Sequence, residues 1–399
     1  MMRIGSLSTA CSIGLLFTLA GCATQTVRST AVVPINSVVE PIPDDLLLDI
    51  NIAILDPGIE NLDPKKTTTT PGIRRAEGHY IAERLKQTLE SSRQWAAVRV
   101  VPEIVREVDV TVSGKILKSD GETLKIQITV NDATGRTWFT RTYDEQVSRF
   151  AYDAEIRRRQ EPFQNVYNRV ANDMLEFLMR QDLTALGNIR TTSELRLAAR
   201  FAPEPFADYI EVDSRGHYSI QRLPAENDPI LQRVRQIRVR DEMFVDRLQD
   251  FYREFDRDMT TSYDNWRLES YTETEALREL KSQALARTLG GALAVIGGIL
   301  AQGSNSATAR TAGVLGIGVG AYMFKSGLDK NAEARIHTEA LKELSESLNA
   351  EIQPQTIALT DRTVELSGTV EEQYRQWQEL LNQIYLIDTG QASPDIISH

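Results

Sequence analysis

Residues 108–143 read VDVTVSGKILKSDGETLKIQITVNDATGRTWFTRTY. Val108, Val110, Val112 and Ile116 alternate with other residues, and Leu124, Ile126, Ile128 and Val130 do the same. A period of two puts each set on one face of a strand. Ser119-Asp120-Gly121-Glu122 lies between them as a hairpin turn. Asn131-Asp132-Ala133-Thr134-Gly135 turns the chain again, into a strand from Trp138 to Tyr143. Upstream, Leu48, Ile50, Ile52 and Ile54 alternate until Asp56-Pro57-Gly58 stops the strand. Ala76, Tyr80, Ile81, Leu85 and Leu89 recur at helical spacing across 73–91, and Val98, Val100 and Val101 form a short strand before Pro102. The predicted order is β-α-β-β-β-β, with a helix over 154–180 to follow.

Beyond this unit the period changes. Ser193 to Phe201 reads as a short helix ended by Pro203 and Pro205, and Tyr209, Val212, Tyr218 and Ile220 as two small strands about Ser214-Arg215-Gly216. From Ile230 the apolar positions are Val234, Ile237, Phe244, Leu248, Phe251, Phe255, Met259, Tyr263 and Trp266. The steps from Phe244 to Trp266 average about 3.67 residues, the eleven-residue period of a nearly straight helix. Such a helix needs one partner along its length. Charge then disappears: no Asp, Glu, Lys or Arg lies between Arg287 and Arg310. Leu289–Ala301 reads LGGALAVIGGILA and Thr311–Phe324 reads TAGVLGIGVGAYMF. Gly290, Ala294 and Gly298 are four apart, as are Ala312, Gly316 and Gly320, so each arm carries a face of small residues that lets helix backbones approach closely. Each arm rises about 20 Å, short of the roughly 30 Å hydrocarbon core, so a lone span is not expected. Two readings stay open: the tip enters or contacts a membrane, or the arms pack on each other and on other copies. Ala332, Ile336, Leu341, Leu344 and Leu348 make a returning arm. A β-hairpin about Asp361-Arg362 and a helix over 371–385 end the chain.

The first residues, MMRIGSLSTACSIGLLFTLAG, carry one charge, Arg3, and a short apolar stretch, the pattern of a secretory signal. They end in Leu19-Ala20-Gly21-Cys22, which resembles the lipobox of bacterial lipoproteins. That resemblance implies cleavage before Cys22, acylation of Cys22, and export to the outer membrane, because Ala23 rather than Asp follows. More than one acyl chain anchors stably where a single one does not.

Composition narrows the function. Lys and Arg number 45 against 56 Asp and Glu, a net charge of -11, and phosphate binding needs the opposite surplus, so no nucleic-acid partner is expected. Cys11 and Cys22 are the only cysteines, which excludes a disulfide framework and a cysteine zinc site. His79, His217, His337 and His399 lack metal-ligand spacing, so no metal and no cofactor beyond the covalent lipid is expected. No nucleophile elbow, metalloprotease motif or phosphate loop is present. Gly316, Gly318 and Gly320 serve packing, while Asp144-Glu145, Glu371-Glu372 and Arg157-Arg158-Arg159 read as solvated faces and His79 as a helix-surface residue. An enzyme is not expected.

The strand-helix-meander order with "VNDATGRTW" is similar to small lipoprotein domains of bacterial envelopes, those of the curli-secretion channel lipoproteins and the amino-terminal domain of the Tol-system propeller protein. The resemblance implies an α/β sandwich that binds partners rather than catalyses. The chain departs from the curli family in lacking long alternating segments after Tyr143, the strand pairs of a barrel. "TVELSGTVEEQYRQWQELL" at 363–381 resembles the second half of a BON domain, the alternative being a unit that completes another sheet.

The expected class is α+β: an α/β sandwich, a long antiparallel helical hairpin with a glycine-rich apolar tip, and a small β-hairpin/helix unit. The expected divisions are a signal peptide (1–21), an acylated tether (22–46), an α/β envelope domain (46–182), a connector (183–229), the helical hairpin (230–350, tip 288–325) and a BON-like unit (351–390). The expected function is an outer-membrane lipoprotein facing the periplasm that acts as an oligomeric assembly component. Its expected partners are outer-membrane lipid, other envelope proteins and further copies of itself. The alternative is a subunit of a secretion or transport channel.

Overall fold

The alternation of the meander becomes a mixed five-stranded sheet. The computed structural model describes residues 32–37, 41–62, 69–299, 355–358 and 363–390. The strands are β1 (Ile50–Ala53), β2 (Val98–Val101), β3 (Val110–Ser119), β4 (Thr123–Asp132) and β5 (Thr137–Gln146), in the order β2-β1-β3-β4-β5. β1 runs parallel to both neighbours, with Ile50 opposite Val98 and Val110, and the meander is antiparallel. The parallel pair is joined by α1 (Pro71–Ser92), as a parallel connection requires. Thr70 caps α1 by accepting from the Ile73 amide, and Pro71 stands at the first helical position, where its missing N–H costs nothing.

Burial follows the predicted faces. Leu124, Ile126, Ile128 and Val130 of β4 are buried while Lys125 and Gln127 are exposed. Leu48, Ile50 and Ile52 are buried too. The helix expected over 154–180 is interrupted. A single turn, α2 (Ala154–Arg157), is followed by α3 (Gln164–Leu178), and Pro162 sits in the gap. Proline has no N–H to continue the ladder and moves its predecessor out of the helical region. α3 packs beside α1 and on β5, with Phe177 stacked on Trp138 at 4.7 Å.

The stretch read as a connector holds a longer helix than expected. α4 (Leu183–Phe201) is capped by Asp182 and buries Leu186, Ile189, Leu195 and Ala198 in the same core. Its helical span begins ten residues before the stretch singled out in the sequence. A turn, α5 (Pro203–Phe206), and the expected small hairpin, β6 (Ile210–Val212) with β7 (Tyr218–Ile220), come next. That hairpin docks on the β4–β5 turn. Gly135 has φ +83°, and a Cβ there would lie 2.1 Å from the Gly216 carbonyl oxygen, so only glycine fits.

α6 (Pro229–Ile299) is one helix of 71 residues, about 107 Å long at 1.5 Å per residue. It does not have the single partner that its period suggested. Along its length it meets α4, the edge strand β2, α1 and the β3–β4 turn in succession, and also the C-terminal helix. The last elements are a separate two-stranded sheet, β8 (Gln355–Ala358) with β9 (Thr363–Leu366), and α7 (Val370–Asp388). α7 starts with a capping box between Thr369 and Glu372 and lays Trp377 on Phe244 of α6, ring centroids 4.8 Å apart. Among the described residues no helix is long and apolar enough to cross a membrane.

Candidate functional site

α6 is fastened to the body by buried polar contacts along its length. Its apolar stripe carries a charge, Arg267, four residues after Tyr263 and four before Tyr271, and Arg267 is 1% exposed. Its guanidinium donates to Glu161 and, at 2.6 Å, to Asp264, and lies over the rings of Tyr263, Tyr80 and Phe163. Glu161 is held at the break before α3 that Pro162 imposes. Burial works against the charge, but Glu161 opposite it, helped by the oxygens of Tyr80 and Tyr263, outweighs that and holds the guanidinium well above its ordinary range.

One turn earlier the hydroxyl of Tyr263 donates to Glu77 of α1 at 2.7 Å, and Ser119 at the end of β3 donates to the same oxygen. Arg74 flanks Glu77 at 3.5 Å. Burial pushes the Glu77 carboxyl up, against Arg74 and the two hydroxyl donors. Tyr80 meets Tyr263 edge-on at 4.8 Å. The β3–β4 turn closes the cluster. Ser270 donates to the Asp120 carbonyl at 2.8 Å, and Tyr152 donates to the Gly121 carbonyl. A Cβ on Gly121, at φ +74°, would lie 2.1 Å from the Arg267 carbonyl oxygen, so this turn and α6 are in backbone contact. Sliding or rotating α6 would strand buried charge, so the arrangement holds one register.

Further back, the side-chain amide of Gln249 accepts from the Val100 amide at 2.9 Å and donates to the Val100 carbonyl at 2.8 Å. It stands where another strand would pair with β2 and closes that edge. Arg99 bonds Asp246 beside it. Asp241 accepts from Trp377 and Gln378 of α7 at 3.0 and 2.8 Å. A crevice near Asp49, Arg99, Glu107, Arg238 and Glu242 has room for about 40 Å³, a few water molecules and far less than the roughly 300 Å³ at which substrate pockets begin.

The tether also has a built contact. Val33 donates its amide to Asn165 of α3 and accepts from Asn168, 2.8 and 2.7 Å away. Asn36 donates to Asn172, and Asn172 donates to the Pro34 carbonyl. Three asparagines on one face of α3 thus bind an extended strap of chain. Part of the expected tether is therefore fixed to the body.

Of the residues singled out in the sequence, Gly290, Ala294 and Gly298 lie in the last turns of α6. Cys22, Ala312, Gly316 and Gly320 lie outside the described residues, as does the returning arm. His79 is not a free surface residue: α6 covers it with Tyr252 and Phe255, ring centroids 5.9 and 5.8 Å away. Arg157 turns toward Asp264 at 3.8 Å, and Glu145 pairs with Arg169, so both leave the solvated faces expected of them. Sequence reading missed Arg267, Glu77, Gln249 and the asparagine ladder. Arg267 had a signal, a charge in phase with Tyr263 and Tyr271. Glu77 and Gln249 look like ordinary polar helix positions until their partners are known.

No protein-family model matches the chain, and no curated protein matches it. Among solved structures the chain is similar to a PelC dodecamer from Paraburkholderia phytofirmans, 13% identical, with 32% of this chain and 86% of that chain covered at a TM-score of 0.22. A likeness of that size carries no conclusion about fold or function.

Proposed function

We propose that the protein is an acylated outer-membrane lipoprotein facing the periplasm, an assembly component whose glycine-rich apolar tip contacts membrane or further copies of the chain. It performs no catalytic step, and its partners are outer-membrane lipid, copies of itself and other envelope proteins. The observation that carries this reading is α6. Its first part is fastened to the body by buried polar contacts, and it continues for a further 28 residues past Tyr271 into an uncharged run containing Gly290, Ala294 and Gly298. Glycine costs about 1 kcal/mol per residue in a water-exposed helix. A helix end so rich in it gains by close packing in lipid or against another helix.

The test has two parts. Metabolic palmitate labelling is expected to be lost in Cys22→Ala, and flotation with phospholipid vesicles to fall. Gly290→Leu with Gly298→Leu is expected to lower the oligomer mass measured by sedimentation in detergent, while the far-ultraviolet dichroism stays unchanged. A chain that floats equally well without Cys22, and whose mass ignores both glycines, overturns the reading. Ion conductance in planar bilayers that the glycine variants abolish would favour the channel subunit instead.

A further inference from the structure

The acyl anchor and the apolar end of α6 belong to one geometry. The strap at 33–36 runs along α3 from Asn165 toward Asn172, so the chain before Val33 leaves at the Asn165 end. Asn165 donates to Glu145, which stands opposite Leu124 beside the β3–β4 turn. α6 leaves the body at that same turn, where Ser270 reaches Asp120 and Tyr271 lies 6.0 Å from Tyr152. The β6–β7 hairpin, against Gly135, marks the opposite end of the sheet.

Lengths decide what this allows. Residues 272–287 of α6 carry Glu273, Glu275, Arg278, Glu279, Lys281 and Arg287 and cannot enter hydrocarbon cheaply. They make a charged spacer of about 24 Å before the apolar run at Leu289. The stretch from Cys22 to Val32, about ten residues, reaches at most about 35 Å when extended. The tether can therefore span the gap that the helix opens. Had the two left opposite ends, the tether would also have to run the length of a strand such as β3, about 33 Å more, and would fall short.

We propose that the apolar end of α6, from Leu289 to Ile299, seats in the same bilayer that holds the acyl chains on Cys22, with the body held off that surface by the charged stretch of helix. The partner is the phospholipid of the anchoring membrane, not an opposing membrane. This rests on the lipoprotein reading above.

The experiment uses the full acylated chain, reconstituted in phosphatidylcholine–phosphatidylglycerol vesicles, with an environment-sensitive fluorescent amino acid at Ala294 or, as control, at Val212 on the β6–β7 hairpin. Nitroxide lipid is placed either in the carrier vesicles or in a second population mixed in afterwards. A probe at the acyl boundary is expected to lose intensity to carrier lipid, and the Val212 probe to neither population. Quenching of the Ala294 probe by the second population alone would overturn the inference and leave the lipoprotein reading standing. No quenching from either population, with flotation still dependent on Cys22, would overturn it along with membrane contact by the tip. Flotation undiminished in Cys22→Ala would remove the reading itself, and the inference with it.

Discussion

At the residue scale two side chains in the α1–α6 seam titrate in the same range with opposite signs. Burial pushes Asp256 up to about 6, although Arg84 stands 3.1 Å away, with Glu83, Gln87 and Glu161 also nearby. Between about pH 4 and 6 the folded chain then keeps a proton that the unfolded chain has released, so this group's contribution to stability falls as pH rises through that window. Burial against Tyr252 and Phe255 brings His79 down to about 4. Below about pH 6.5 the unfolded chain takes up a proton first, and stability falls as pH drops toward 4. Each effect is worth roughly 3 kcal/mol at most, and in the wild type they largely offset. Urea unfolding at a series of pH values separates them. As pH rises from 4 to 6, Asp256→Asn is expected to gain on the wild type and His79→Phe to lose ground to it. A pH-independent difference for both variants would show that burial does not set either group.

At the scale of elements, the edge of the sheet is the test case. β2 is four residues long, and its outer side is closed by one glutamine. Gln249→Leu keeps the volume and leaves the Val100 amide and carbonyl unpaired in a buried site, at a cost of about 1–3 kcal/mol per group. The expected outcome is a lower urea midpoint with an unchanged slope, together with faster hydrogen exchange at Val100. Unchanged exchange there would mean that the edge is covered by something other than the amide. Most elements themselves were legible. Alternation in β3 and β4, the glycines at 121 and 135, and the apolar spacing of α1 and α6 are local signals, because strand and helix periods act over a few residues. The break before α3 was missed in a helix expected unbroken over 154–180, although Pro162 is itself a local signal. α4 was under-read because its first half mixes Gly187, Asn188 and Thr191 with its apolar positions.

At the scale of the whole molecule, Arg267 ties four elements: the turn after β3, α1, the break before α3, and α6. Removing one partner of a buried ion pair leaves the other charge uncompensated, typically at 3–5 kcal/mol. Arg267→Met is expected to destabilise the fold by about that much. Limited proteolysis should then cut α6 beyond Tyr263 before it cuts the sheet. The double variant Arg267→Met with Glu161→Gln is expected to recover part of the loss, since one of the two stranded carboxylates is gone while Asp264 keeps only Arg157, 3.8 Å away. Equal loss in the single and double variants would assign the effect to packing over Tyr80, Phe163 and Tyr263 rather than to charge.

The sequence by itself determined the α+β class, the order of most elements, the long helix that follows the small hairpin, and the uncharged glycine-rich run at that helix's end. Each of these follows from periodicity, turn chemistry or missing charge, which neighbouring residues fix between them. Only the tertiary structure decided what α6 rests against, which of its polar residues are buried, and that the start of the strap at Val33 and the exit of α6 lie at one end of the sheet. Those are contacts between residues far apart in the chain, such as Val100 with Gln249 and Asp120 with Ser270. Their partners are chosen by packing, so no local pattern announces them.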